Sequence, residues 1–182
     1  FPGQYVHMVR SLARQGGHEL VALGMRPPVP KCPEGVQYRQ YSLRRGNAEG
    51  VHHLASETEA KVIRAEACAQ AAHQLKCEGF TPDLICAHPG WGESLFLQDV
   101  WPHVPLLAYQ EFFYHPRGLD TDFDPELQAD QSWQSAAKVR MKNAYLHLTL
   151  EAASWNVSPT GFQRSTFPLP DQQRMSTIHD GI

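Results

Sequence analysis

The stretch SETEAKVIRAEACAQAAHQLKCEGFTPDLICAHPGWGES, residues 56–94, holds a long helix, a buried strand and a glycine-rich turn in immediate succession. Ser56 stands three residues before Glu59, the spacing of a capping box, and Ala60, Ile63, Ala67, Ala71 and Leu75 recur at helical spacing. Together they predict a helix from about Ser56 to Cys77. Its apolar stripe is thin and rich in alanine, which lets a helix backbone approach a sheet closely. Gly79 ends the helix, Thr81-Pro82 turns the chain, and Asp83 to Ala87 reads as a buried strand whose carboxyl end opens on His88-Pro89-Gly90-Trp91-Gly92-Glu93-Ser94.

Working outward, the same alternation repeats. Toward the start, a helical pattern with Tyr5, Val9, Leu12 and Ala13 on one face ends at Gly16-Gly17, and Glu19 to Leu23 reads as a strand. The segment Pro27-Pro28-Val29-Pro30 breaks regular structure, Val36 to Leu43 alternates weakly as a second strand, and Arg44-Arg45-Gly46-Asn47 reads as a turn. Toward the end come a short helix around Ser94 to Val100, a strand at Val104 to Tyr109, and an acidic loop through Asp120, Asp122, Asp124 and Glu126. A second long helix is predicted near Ser132 to Ser154 with Ala137, Met141, Ala144, Tyr145, Leu148 and Ala152 facing inward. A strand at Asn156 to Ser158, a helical turn at Gly161 to Phe167 and a strand at Met175 to His179 complete the pattern. Strictly alternating strands and helices predict an α/β fold, a Rossmann-like parallel sheet with helices on both faces. The first strand of such a sheet is normally central, yet the chain opens as a strand-to-helix loop. Either a strand from elsewhere fills that slot, or the chain is a fragment; open edges there would invite dimerisation by strand exchange.

Composition bounds the rest. The 182 residues carry 16 Lys plus Arg against 19 Asp plus Glu, a net charge of −3, which excludes a basic nucleic-acid footprint. That length predicts one domain, residues 1–182, with a core that needs no disulfide staples. No apolar run approaches the roughly 18 residues of a membrane span. Cys32, Cys68, Cys77 and Cys86 form no C-x-x-C pair and read as reduced thiols of a cytoplasmic protein. The sequon at Asn156-Val157-Ser158 carries no weight without a secretory signal.

Ligands of open parallel sheets bind beyond the carboxyl ends of the strands. The residues at those places are Gly3, His88 with Gly90 and Gly92, Gln110 with Glu111, Ser158 with Thr160, and Asp180. Gly3 opens a helix whose free amides could meet a phosphate, or it marks a plain turn. His88 can move protons near neutral pH, and the glycines after it let a ligand approach the backbone. Glu111 is followed by Phe112, Phe113 and Tyr114, rings that would desolvate its carboxylate and tune it as a general acid or base. The acidic loop lacks the glycine and glutamate of a calcium loop and is read as solvated, so no metal is expected. Absent G-x-S-x-G, G-x-x-x-x-G-K-[ST] and H-E-x-x-H motifs remove serine hydrolase, P-loop and zincin readings.

The opening FPGQYVHMVRSLARQGGHELVALG, the central LICAHPGWGESLFLQDVWP, the strand PLLAYQEFFY and the closing RSTFPLPDQQRMSTIHDGI together resemble the N-terminal half of family 4 glycosyltransferases. The resemblance implies one half of a GT-B fold, two Rossmann-like domains facing across a cleft, and transfer of a sugar from a nucleotide-sugar donor with retention. The acceptor, a sugar, a lipid-linked molecule or another small molecule, would be held mainly by this domain. A C-terminal donor domain would follow, leaving the isolated chain nearly inactive, and cofactors would be none. Pro2, Gly3 and Gln4 match the loop backing the donor diphosphate. His88 matches a histidine frequent at its place, whereas Gln110-Glu111 stand where many members have a second histidine. His88 and Glu111 are the expected catalytic pair, and Gly90, Trp91, Gly92, Glu93, Gln110 and Tyr114 the expected acceptor pocket. Ile178-His179-Asp180-Gly181-Ile182 is similar to the I-P-N-G-V stretch at the hinge into the donor domain, so Asp180 and Gly181 are the expected interdomain hinge. The expected location is cytoplasmic, with attachment to the inner membrane face as a further option. Two other readings are a non-catalytic Rossmann-like binding module and half of a GT-B nucleotide-sugar epimerase.

Overall fold

The computed structural model describes residues 3–27, 32–120, 122–124, 126 and 130–181; Pro2, the stretch 28–31 and Ile182 lie outside them. Helix α1 (Val6–Gln15) follows a 3-10 turn at Gly3–Tyr5 and leads to β1 (Leu20–Gly24), which pairs in parallel with β2 (Val36–Gln40). After α2 (Ser56–Cys77) come β3 (Ile85–Ala87), a 3-10 turn at Pro89–Trp91, α3 (Leu97–Val100) and β4 (Leu106–Tyr109). Helices α4 (Trp133–Lys142) and α5 (Ala144–Ala152), strand β5 (Trp155–Ser158), helices α6 (Gly161–Ser165) and α7 (Leu169–Gln172), and β6 (Met175–Thr177) follow. Strands β3, β4, β5 and β6 pair in that order, all parallel, with Ile85 beside Leu106, Leu107 beside Trp155, and Asn156 beside Met175. The mixed α/β fold with its parallel sheet flanked by helices is the Rossmann-like half that the alternating pattern predicts.

Among the described residues no strand joins β1 to β3, so the sheet falls into two parts. Helix α2 stitches them. Its Ala67, Cys68, Ala71, Ala72 and Leu75 share one buried cluster with Ile85, Ala87 and Leu106, and Val21, Leu23 and Met25 from the β1 side pack on it. The small alanine side chains permit this approach, as the thin stripe suggests. A second cluster, Phe113, Tyr145, Leu146, Leu150, Phe167 and Met175, closes the other end of the sheet.

Three local expectations are corrected. The capping box does not form: no side chain caps α2, because Glu59 instead accepts from Arg45 Nη1 at 2.9 Å and from the Ala48 amide, while Ser56 Oγ accepts from Asn47 at 2.9 Å. The second long helix breaks at Asn143. There the side-chain amide exchanges two hydrogen bonds with the Tyr114 backbone, at 3.0 and 2.8 Å. Beyond the break Leu148 is 54% exposed, while Tyr145, Leu146, Thr149 and Leu150 are buried. The last strand stops at Thr177 rather than His179. In the acidic loop, Asp120, Asp122 and Asp124 accept from the amides of His115, Gly118 and Glu126, so these carboxylates tie their own loop.

Gly92 is where the fold demands a glycine. Its φ is +95°, and a Cβ there would meet the Lys61 carbonyl oxygen of α2 at 2.7 Å. Gly92→Ala should therefore cost on the order of 3 kcal/mol in urea unfolding, whereas Gly46→Ala, with nothing near its added Cβ, should change stability by under about 0.5 kcal/mol. Equal stabilities for the two variants would contradict this packing.

Candidate functional site

The carboxyl ends of β3 and β4 lie side by side, so the residues that follow them share one edge. Directly after β3, His88 folds its ring back over the next turn: the Gly90 amide donates to His88 Nδ1 at 3.0 Å. That contact assigns the lone pair to Nδ1 and the ring proton to Nε2. Gly90 leaves the room for it, since a Cβ there would stand 2.5 Å from His88 Cε1. The turn is pinned from beneath, as the Gly90 carbonyl accepts from Lys61 Nζ of α2 at 2.6 Å and from the Tyr145 hydroxyl of α5 at 3.2 Å. Burial pushes the Lys61 ammonium below its ordinary pKa and the Tyr145 phenol above its own.

Nε2 of His88 stands 3.0 Å from Glu111 Oε2, an ion-pair distance whose direction falls short of an aligned hydrogen bond, so the buried Nε2 keeps no well-directed acceptor. The other carboxylate oxygen of Glu111 accepts from Gln4 Nε2 at 2.9 Å. Two segments far apart in sequence thus meet on one carboxylate. The expected desolvation of Glu111 does not occur. Its side chain is 46% exposed, because Phe113 joins the second core and Phe112 packs against Tyr114 and Phe162.

A third segment closes the cluster. Tyr109, the last residue of β4, lies 5.7 Å from the His88 ring and 6.4 Å from the Tyr5 ring, centroid to centroid, and donates its hydroxyl to both carboxylate oxygens of Asp180, at 2.8 and 3.0 Å. Burial first, and then the Asp180 carboxylate, hold the Tyr109 phenol above its ordinary pKa.

The structure brings Gln4, His88, Gly90, Glu111 and Asp180 together, with Gly3 and Gly181 as direct neighbours in the chain. Both of those glycines have positive φ, +46° and +75°. Pro2 lies outside the described residues. Gln110 is elsewhere: fully buried, it donates to Asn156 Oδ1 of β5 at 3.0 Å and ties the sheet together beneath the edge. Glu93 accepts from the buried Tyr41 hydroxyl at 2.9 Å. Trp91 is 59% exposed, with Lys61 and Arg64 over its ring, and Tyr114 carries Lys142 Nζ 3.5 Å over its ring centre. The sequence assigns no site role to Tyr109 or Lys61, and it marks Tyr145 only as an inward-facing helix residue. One signal for Lys61 was present, since Lys61, Arg64 and Cys68 form a stripe beside the alanine face whose first two members are cations.

A Rossmann-like domain with its polar cluster beyond β3 and β4 is of the class that handles ligands at the carboxyl edge of its sheet. The sequence pattern of the glycosyl transferase family 4 group matches residues 16–182, and the chain belongs to that family. The matched region contains His88, Glu111 and Asp180 but begins after Gly3 and Gln4. None of the curated proteins matches the chain at a significant level.

Asp180→Asn removes a charge and leaves the burial. The Tyr109 ring, followed by NMR through an alkaline titration, should then ionise at lower pH than in the wild type and still above an ordinary tyrosine. An unchanged Tyr109 midpoint would show that Asp180 does not hold it.

Proposed function

We propose that this chain is the acceptor-side domain of a retaining, metal-independent glycosyltransferase whose donor is a nucleotide sugar. The observation that carries the reading is the convergence of Gln4, His88 and Glu111 on the carboxyl edge of β3 and β4. Family membership supports sugar transfer as the chemistry. In this reading the acceptor hydroxyl lies against both His88 Nε2 and Glu111, on the open side of their 3.0 Å contact. The Nε2–H of His88 donates to the hydroxyl oxygen, and Glu111 takes the hydroxyl proton as that oxygen bonds to the anomeric carbon. The bond from that carbon to the donor phosphate oxygen breaks at the same time, its electron pair leaving with the diphosphate. Attack from the face of the departing phosphate retains the anomeric configuration.

The remaining parts take supporting roles. The diphosphate would lie near Gly3, in the 3-10 turn that leads into α1; neither that turn nor the first turn of α1 carries an acidic residue, and no side chain caps α1, so the free amides and dipole favour an anion. Asp180, anchored by Tyr109, and Gly181, with its positive φ, would carry the hinge to a donor-binding domain. Holding both reactants in register is worth on the order of 7 to 11 kcal/mol, which is why a half-site turns over poorly.

The test is a panel of nucleotide sugars, scored for transfer and hydrolysis by the full-length gene product. Turnover of a nucleotide sugar is expected. Glu111→Gln should lower kcat by about 10²-fold or more with donor KM within about twofold, because it removes the proton acceptor and leaves the donor site intact. Gly3→Trp should raise donor KM. An unchanged kcat for Glu111→Gln would remove Glu111 from the chemistry, and no turnover of any donor would favour the non-catalytic binding module.

A further inference from the structure

The amino end of α2 and the helix α4 line a cleft of about 300 Å³. Lys138 and Lys142 line it from α4, His53, Ser56 and Glu57 from the α2 side. The two lysines are four residues apart on one helix, so their like charges repel across one face, a cost that a bound anion would relieve. Among the described residues neither has a carboxylate within ion-pair distance, and the same holds for Lys61 and Arg64 nearby on α2. Among the described residues Glu57 is the one acid on the lining, against two lysines, so the cleft is cationic. Lys142 is held in place by the Tyr114 ring, 3.5 Å below its ammonium, and Tyr114 follows Glu111 by three residues. Both walls of the cleft are thus tied to the edge where the acceptor hydroxyl is proposed to sit, α4 through Lys142 on the Tyr114 ring and α2 through Lys61 on the Gly90 carbonyl.

We infer that this cleft seats a phosphate group carried by the acceptor, with Lys138 and Lys142 as its ligands. The inference rests on the acceptor-side reading and narrows it from any hydroxyl compound to a phosphorylated one, either a soluble phosphate ester or a phospholipid headgroup. Ammonium groups on a partly enclosed surface recognise phosphate as point charges.

The experiment titrates inorganic phosphate into the full-length gene product, followed by phosphorus NMR line broadening. The wild type should bind. The double variant Lys138→Gln/Lys142→Gln should bind roughly tenfold or more weakly, Lys138→Arg/Lys142→Arg should retain binding, and the charge-matched control Arg14→Gln/Lys76→Gln should bind as the wild type does. Phosphate binding that is absent, or indifferent to the glutamine pair, overturns the inference. Because the titration needs no turnover, its failure is separate from that of the acceptor reading: a cleft that binds phosphate in a protein that transfers no sugar leaves the anion site and removes the acceptor. Sedimentation with phosphatidylglycerol vesicles against phosphatidylcholine vesicles separates the sources. Anionic-vesicle binding lost in the glutamine pair marks a lipid headgroup, and phosphate binding without vesicle binding marks a soluble ester.

Discussion

Everything at the carboxyl edge depends on how the turn from His88 to Gly92 is held. Its carbonyl at Gly90 takes one hydrogen bond from α2 and one from α5, and Gly92 lies so close to the α2 backbone that a single methyl group would collide with the Lys61 carbonyl. A loop pinned on two sides loses its conformational freedom at folding rather than at binding. The imidazole inherits that rigidity through the Gly90 amide, which fixes both where the ring sits and which nitrogen keeps the proton. A catalytic or binding group on a mobile loop would have to be ordered by its ligand; here the helices order it in advance.

The second dependence is on α2. The sheet is in two parts among the described residues, and the cluster formed by Ala67, Cys68, Ala71, Ala72 and Leu75 is what carries β1 and β3 as neighbours of one core. The same helix contributes Lys61 to the turn and its amino end to the cationic cleft. Segments from both ends of the described chain then meet on the last residues of β4 and just beyond: Gln4 on Glu111, Tyr5 against Tyr109, and Asp180 on the Tyr109 hydroxyl. A shift of the closing segment is therefore felt at the same place as a shift of the opening turn.

The fold was legible because it rests on short-range regularities. Helix α2 begins and ends where the stripe and Gly79 predict, and the strands at Ile85–Ala87 and Leu106–Tyr109 fall inside the apolar runs that announce them. What was not legible depends on partners distant in sequence. Glu59 has the spacing of a capping residue, yet Arg45 and Ala48 claim its carboxylate. Asn143 looks like one more helical position, yet its amide is taken by the Tyr114 backbone where the helix breaks, and Leu148 beyond it is exposed. In the site, His88 and Glu111 were visible as residues after strands. The burial of Gln110 against Asn156 was not, because strand ends alternate in direction and one residue of phase decides which side chain faces the core. The phenylalanines after Glu111 likewise announce apolar surface without saying which way it turns.

The measurement that tests the account most directly is a long-range nitrogen–proton correlation spectrum of the His88 ring in the full-length gene product, with Gly90→Ala beside the wild type. The account predicts an Nδ1 that accepts from the Gly90 amide, with the ring proton on Nε2, and loss of that coupling in Gly90→Ala, where the new Cβ would stand 2.5 Å from the ring. A proton on Nδ1 in the wild type, or a ring indifferent to Gly90→Ala, would mean that the turn does not set His88, and the role proposed for it with Glu111 would fall with it.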